Sequence, residues 1–250
     1  MHIVVINPNT TASMTRLIGE SAEAVAAPGT TVSAVNPDMG PASIESHYDE
    51  ALSVPGVLAE IARAQAGDSP PDGFVLACFG DPGLDAAREL AAGPVVGIAE
   101  AAMHAASFLG RHFTVVTTLA RTEGRAWDLA ERYGMSRFCR AVRSCEIPVL
   151  ALEDPASEAF AAIVAESREA VADGAEAIVL GCAGMADLAP RMSAAVGVPV
   201  VDGVAAATKT VEALVAMGLR KSGHGEFTAP LPKPYTGLLA DFEIAKADIC

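Results

Sequence analysis

FVLACFGDP at residues 74–82 and IVLGCAGMA at residues 178–186 are two versions of one phrase. In each, an apolar run ends at a cysteine, Cys78 or Cys182, and a glycine stands two residues later. The likeness continues downstream, with GPVVGIAEAA at 93–102 and VPVVDGVAAA at 198–207. Self-similarity of this kind implies two similar half-domains, each with its cysteine at the same structural place. If the halves face each other, one small molecule lies between two thiols.

Around these phrases, short β-rich runs alternate with longer Ala-rich stretches, the pattern of parallel strands joined by helices. The sequence predicts strands near 2–6, 31–36, 74–78, 94–97, 113–117, 139–143, 176–181 and 198–201. It predicts helices near 12–26, 49–66, 84–91, 99–109, 121–133, 156–173, 185–195 and 203–217. Proline and glycine mark the joins, as at Asn7-Pro8, Gly40-Pro41, Asp81-Pro82-Gly83 and Asp154-Pro155. The expected architecture is α/β: two pseudo-symmetric parallel-sheet domains with the site in the cleft between them. The chain should cross once near 98–99 and return with the helix after 203. One half then comprises residues 1–97 plus 207–250, and the other residues 98–206. The segment from Ser222 onward, with Pro230, Pro232 and Pro234, reads as an irregular strap over the surface, without catalytic side chains and with a dispensable Cys250.

The 250 residues are 51% hydrophobic and 19% charged, enough apolar content for a substantial core and too much for disorder. A formal net charge of −14 argues against nucleic acid or an anionic membrane as partner. No run reaches the roughly 18 apolar residues of a membrane span, and the start, MHIVVINPNT, lacks the basic leader and long apolar core of a signal peptide. The five cysteines (78, 139, 145, 182 and 250) form no CxxC pair and fit neither a secreted disulfide framework nor a zinc site. Reduced thiols in the cytoplasm are the economical expectation. Most enzymes of this size are symmetric oligomers, and a homo-oligomer is expected here.

A lone cysteine at a strand end reads first as core, because cysteine is among the most buried residue types. Recurrence at equivalent places, each time before glycine, favours chemistry. A thiolate facing the amino end of a helix gains from N–H donors and the helix dipole. The same donors can hold an oxyanion, and removing a proton beside a carbonyl creates one. Cys139, Cys145 and Cys250 lack this setting and read as inert. Asn9, with Thr10 and Thr11, could orient a ligand, although either threonine would also serve as a helix N-cap. Ser43 ends a glycine-proline loop, and Thr117-Thr118 sets hydroxyls at a strand end, suited to a carbonyl or carboxylate. His104 reads as a packed helix histidine and Lys209 as a surface residue. No dinucleotide, Walker A or H-E-x-x-H pattern is present.

INPNT at 6–10, GPASIE at 40–45, ACFGDPGL at 77–84, VVGIAEAA at 95–102 and VLGCAGM at 179–185 resemble the hydantoin racemase family of the aspartate/glutamate racemase superfamily. The matches run in order over nearly the whole chain, and the two cysteine motifs together are highly specific. The resemblance implies no cofactor, Cys78 and Cys182 as catalytic acid/base pair, and a small hydantoin-type substrate. It implies ring binding by Asn9, Ser43, Phe79, Gly80, Thr117, Thr118, Ala183 and Gly184. Phe79-Gly80 and Ala183-Gly184 stand where the superfamily's amino-acid racemases carry polar groups, which favours a neutral ring over a zwitterion. VVTTLART at 115–122, PVLALED at 148–154 and VLGCAGMADL at 179–188 lean towards the allantoin-racemising members. The rival readings are a superfamily decarboxylase or cis–trans isomerase acting on a small carboxylate, and a non-catalytic two-lobed metabolite-binding protein.

Overall fold

The computed structural model describes residues 1–153 and 158–244. Every strand pair in it is parallel. The first sheet holds β1 (His2–Ile6), β2 (Thr31–Val35), β3 (Gly73–Leu76) and β4 (Val95–Gly97), in the order β2-β1-β3-β4. The second holds β5 (Phe113–Thr117), β6 (Cys139–Ser144), β7 (Ala177–Leu180) and β8 (Val200–Val201), in the order β6-β5-β7-β8. The repeat seen in the sequence is therefore a repeat of topology: β3 and β7, which precede the two cysteines, occupy the same place in the two sheets.

Alternation along the strands distributes the core. In β1, Ile3 and Val5 face one apolar cluster with Met14 and Ile18 of α1 (Ala12–Val25), while Val4 and Ile6 face another with Val57 and Ile61 of α2 (His47–Gln65) and Leu84 and Ala87 of α3 (Leu84–Leu90). In the second sheet, Val115 and Val179 pack on α4 (Ile98–Ser107) and α5 (Glu123–Arg132). Val116, Ile178 and Leu180 pack on α6 (Ala159–Ala172) and α7 (Ala189–Val196). The last helix, α8 (Gly203–Ala216), puts Val204, Ala207 and Val211 into the cluster of the first sheet and lies against α4. Two helices thus change halves, α4 going forward and α8 coming back.

Local chemistry sets the helix starts. Ser46 caps α2: its hydroxyl accepts from the Asp49 amide at 3.1 Å and donates to the Asp49 carboxylate at 2.7 Å. Asp202 caps α8, accepting the amides of Val204 and Ala205 at 2.9 Å each. Thr11 holds the N-cap position of α1, yet its hydroxyl does not cap; it donates to the Ala42 carbonyl at 2.7 Å.

The structure departs from the sequence-based elements in three places that matter. Both cysteine strands are shorter than predicted, so Cys78 and Cys182 sit two residues beyond β3 and β7, in the turns. The helix predicted over 185–195 is a 3-10 turn, Ala183–Leu188, followed by α7, whose first turn contains Pro190. Proline is best accommodated in the first turn of a helix, so the α-helix begins there and the chain before it winds more tightly. The predicted start of α6 at 156 lies outside the described residues, as does Cys250. Over residues 220–244 the chain is irregular but for two short 3-10 turns, Gly225–Phe227 and Gly237–Phe242. Lys221 ties it down, its ammonium donating to the carbonyls of Glu89 and Phe227. No helix among the described residues is long and apolar enough to cross a membrane.

Candidate active site

In the order β2-β1-β3-β4, the chain moves outward from β1 to β2 and then returns to the other side of β1 for β3. Loops leaving β1 and β3 therefore diverge, and a crevice opens beyond their carboxyl ends. Asn7 and Asn9 follow β1, and Cys78 follows β3. In the second sheet Thr117 ends β5, Thr118 comes directly after it, and Cys182 follows β7. The two crevices open into one cavity of about 80 Å3, lined by Asn9, Cys78, Phe79, Gly80, Thr117, Thr118, Cys182 and Ala183 among others. The volume suits one small molecule.

The structure brings eight of the ten sequence-predicted site residues to this wall. Ser43 and Gly184 do not line it. Gly184 still takes part through its backbone, whose N–H hydrogen-bonds the Cys182 sulfur. The Gly80 N–H does the same for Cys78. Asn9 is buried and engaged: its side-chain oxygen accepts from the Asn7 amide group at 2.8 Å and the Thr11 N–H at 2.9 Å. Thr117 donates to the Gly181 carbonyl at 3.3 Å and meets the Thr122 hydroxyl at 3.0 Å. Gly181 is glycine because β5 approaches so closely that a Cβ would stand 2.9 Å from Thr117.

Both thiols are half-buried, free and not joined as a disulfide. Burial pushes Cys78 up to about 12; the Gly80 N–H opposes this, while Cys182, Asp81 and Glu50 add to it. Burial likewise raises Cys182 to about 11, opposed by the Gly184 N–H and assisted by Cys145 and Glu45. The expected activation by N–H groups is present, but it comes from tight turns rather than α-helix ends, and desolvation outweighs it. Each sulfur is thus a strong base once ionised and a competent proton donor while it is not.

Asp81, three residues past Cys78, is buried with a positive φ of 44°, unusual for a residue with a side chain. Its carboxylate accepts the Ala99 and Glu100 amides at the start of α4, at 3.2 and 3.0 Å, and the Tyr133 hydroxyl at 2.7 Å. The cysteine turn of the first half is thereby bolted to two helices of the second. Burial also raises this carboxyl, to about 6.

Charged residues that the sequence did not single out reach the same cavity: Glu50 and His47 from α2, Arg121 and Arg125 from the α5 region. Glu45, the last residue of the GPASIE stretch, lines it too and accepts the Val149 amide at 2.7 Å across the halves. No local spacing links Glu50 with Arg125, 75 residues apart, so the sequence held no signal for them. His104 hydrogen-bonds the Glu100 carbonyl at 2.8 Å and Lys209 pairs with Glu212, both away from the cavity. Cys139 is buried in β6, while Cys145 is half-buried, its thiol 3.8 Å from the Thr118 carbonyl. Among the described residues no cluster of His, Cys, Asp and Glu could hold a metal ion.

Two parallel four-stranded α/β sheets, each followed by a free thiol on the wall of one shared cavity, define a two-lobed α/β architecture of the kind found in racemases. The chain belongs to the Asp/Glu/Hydantoin racemase family, whose family model matches residues 3–211, and with it to the racemases, which are isomerases. It is 51% identical to a hydantoin racemase of Rhizobium meliloti, over 95% of this chain and 98% of that protein. A hydantoin racemase of Pseudomonas sp. (strain NS671) is 45% identical over 97% of each chain. The solved structure of an allantoin racemase from Klebsiella pneumoniae superposes with a TM-score of 0.93 at 49% identity, covering 97% of this chain and 99% of that one.

Proposed function

We propose that the protein racemises hydantoins substituted at C5, allantoin among them, with Cys78 and Cys182 as the two bases. The observation that carries the reading is the pair of free thiols, one from each half, on the wall of a single small cavity. The likeness to proteins named for hydantoin and allantoin racemisation supports the substrate class. One cysteine, as thiolate, takes the C5 proton. The electron pair of the C–H bond moves into the ring and onto the adjacent carbonyl oxygen. The opposite thiol then returns a proton to C5 on the other face, so the thiol and thiolate roles are exchanged after each turnover.

The residues directly after the cysteines supply what the oxyanion needs. The N–H groups of Phe79 and Ala183 make no hydrogen bond within the chain among the described residues, and they are free for ring carbonyl oxygens. Thr118, on the same cavity wall, carries a hydroxyl that can meet a third polar group of the ring. Asn9, Ser43, Gly80, Thr117 and Gly184 complete the proposed binding set, the glycines through the backbone and Ser43 by movement of its loop. The chemistry calls on no cofactor. A superfamily decarboxylase needs one thiol to deliver a proton, which leaves the second unexplained; a cis–trans isomerase uses one thiol as nucleophile and would show a new absorbance band in place of a loss of rotation. A binding protein needs no thiol.

Incubating the purified protein with a single enantiomer of allantoin, or of a 5-alkyl hydantoin, should bring the optical rotation to zero without a new absorbance band. Unchanged rotation for every hydantoin tried would overturn the proposal. The working form is proposed to be a cytoplasmic homo-oligomer, and sedimentation of the purified protein tests the oligomeric state directly.

A further inference from the structure

The two thiols have equivalent places in the repeat, but their surroundings are not equivalent. Behind the Cys78 turn stands a guanidinium from the opposite half. Arg125, on α5, donates from Nη2 to the Gly80 carbonyl at 2.8 Å and from the same nitrogen to the Glu50 carboxylate of α2. Among the described residues, the corresponding turn at Cys182 has no such partner. A Cβ placed on Gly184 would meet Leu152 at 3.1 Å and Met14 at 3.7 Å, both apolar, whereas one placed on Gly80 would meet the Glu50 carboxyl at 3.6 Å.

Gly80 is also the residue whose N–H points at the Cys78 sulfur. Gly80 is therefore gripped at its carbonyl by Arg125 and aimed with its N–H at the thiol. The grip has a cost: Nε of Arg125 is buried without a hydrogen-bond partner, and a charged donor left so is unfavourable unless the remaining contacts hold it there. Burial raises the Glu50 carboxyl, and Arg125 opposes that, so the pair keeps a negative charge near Cys78 compensated. We propose that Arg125 is a positioning residue for Cys78: by clamping the Gly80 carbonyl and the Glu50 carboxylate across the cleft, it aims the Gly80 N–H at the Cys78 sulfur and makes the two thiols chemically unequal. The role lies in proton transfer on one face of the substrate, and in that sense rests on the two-thiol reading above.

The charged and titratable groups that act on Cys78 are Cys182, Asp81 and Glu50, and only Glu50 is paired to Arg125. Replacing Arg125 should consequently weaken thiolate formation at Cys78 and leave Cys182 alone. The test reads both sulfurs in one sample. Wild type, Arg125→Gln and Arg125→Lys are treated with iodoacetamide between pH 7 and 10, and the alkylation of each cysteine is followed by peptide mass spectrometry. In R125Q, Cys78 should react about tenfold more slowly relative to Cys182, as expected for loss of a charge-assisted contact. R125K should fall between, because an ammonium keeps the charge and its donors but ends a shorter, more flexible stem that does not hold them in the fixed place of the planar guanidinium. Equal change at both cysteines, no change, or faster alkylation of Cys78 overturns the proposal. If R125Q does not fold, the R125K ratio alone decides, and a ratio equal to wild type overturns the proposal.

A second arm joins this to turnover. In a Cys182→Ser background, where only Cys78 can exchange the C5 hydrogen of a hydantoin with solvent deuterium, adding R125Q should slow exchange about tenfold. In a Cys78→Ser background the same change should slow exchange distinctly less, both backgrounds being compared at saturating hydantoin. Equal losses in the two backgrounds overturn the positioning role. Absence of exchange in both single-cysteine proteins would instead strike the two-thiol reading, while the alkylation ratio would still decide the role of Arg125.

Discussion

A thiol can serve one face of a planar carbon only, and in this protein each sulfur is aimed by a separate turn. Cys78 takes its N–H from Gly80 and Cys182 from Gly184. Serine in either place keeps the shape but offers a hydroxyl far too weak as a base. Cys78→Ser and Cys182→Ser should therefore each abolish racemisation. The surviving thiolate should still remove a proton from the enantiomer whose hydrogen faces it and return deuterium to the same face in heavy water. Each variant should thus label one enantiomer and ignore the other, with opposite preferences, as read by NMR of the recovered substrate. Labelling of the same enantiomer by both would sink the two-base mechanism.

Among the elements, the connection between the Cys78 turn and α4 carries the most consequence. Asp81 lies across the amino end of that helix, where a carboxylate meets free N–H groups and the positive end of the helix dipole. It fits because Gly97, the last residue of β4, has no side chain; a Cβ there would overlap the Asp81 carboxylate. Gly97→Ala must displace Asp81 and its bonds to Ala99, Glu100 and Tyr133. A loss of about 1–3 kcal/mol in urea unfolding is expected, the scale of an overpacked site that also gives up hydrogen bonds. Stability within about 0.5 kcal/mol of wild type, the scale of an inconsequential surface change, would mean the carboxylate is not what holds the turn.

For the whole molecule, burying two thiols in one cleft has a consequence for stability in alkali. In the unfolded chain a cysteine titrates near about 8.5, whereas in the folded protein burial holds Cys78 and Cys182 up at about 12 and about 11. Between these limits the unfolded state releases protons that the folded state keeps. Each thiol's contribution is intact below the unfolded value and is lost as pH rises towards the folded one, at about 1.4 kcal/mol per pH unit per thiol. Comparing wild type with the Cys78→Ser/Cys182→Ser double variant isolates the two from Cys139 and Cys145. Chemical denaturation at pH 8 and pH 10.5 should show wild type losing more stability than the variant over that interval. Parallel losses would indicate that the thiols are no better shielded when folded than when unfolded.

What could be read from the chain alone was whatever repeats or alternates locally. Parallel strands between amphipathic helices left their periodicities in order along the sequence, and the two cysteine phrases marked corresponding places in the two sheets. Cys78, Cys182, Phe79, Thr117 and Thr118 were legible because strand ends in such sheets face a common crevice. The charged part of the cavity was not. Glu50 and Arg125 lie on different helices of different halves, and only the packing of one half on the other brings the guanidinium to Gly80. The sulfurs' acidity is hidden in the sequence for the same reason: a glycine turn announces its N–H donors, but desolvation depends on everything that closes over the site. Ionisation in a cleft is set by the summed surroundings of an atom, a property of the folded whole that no contiguous stretch of residues contains.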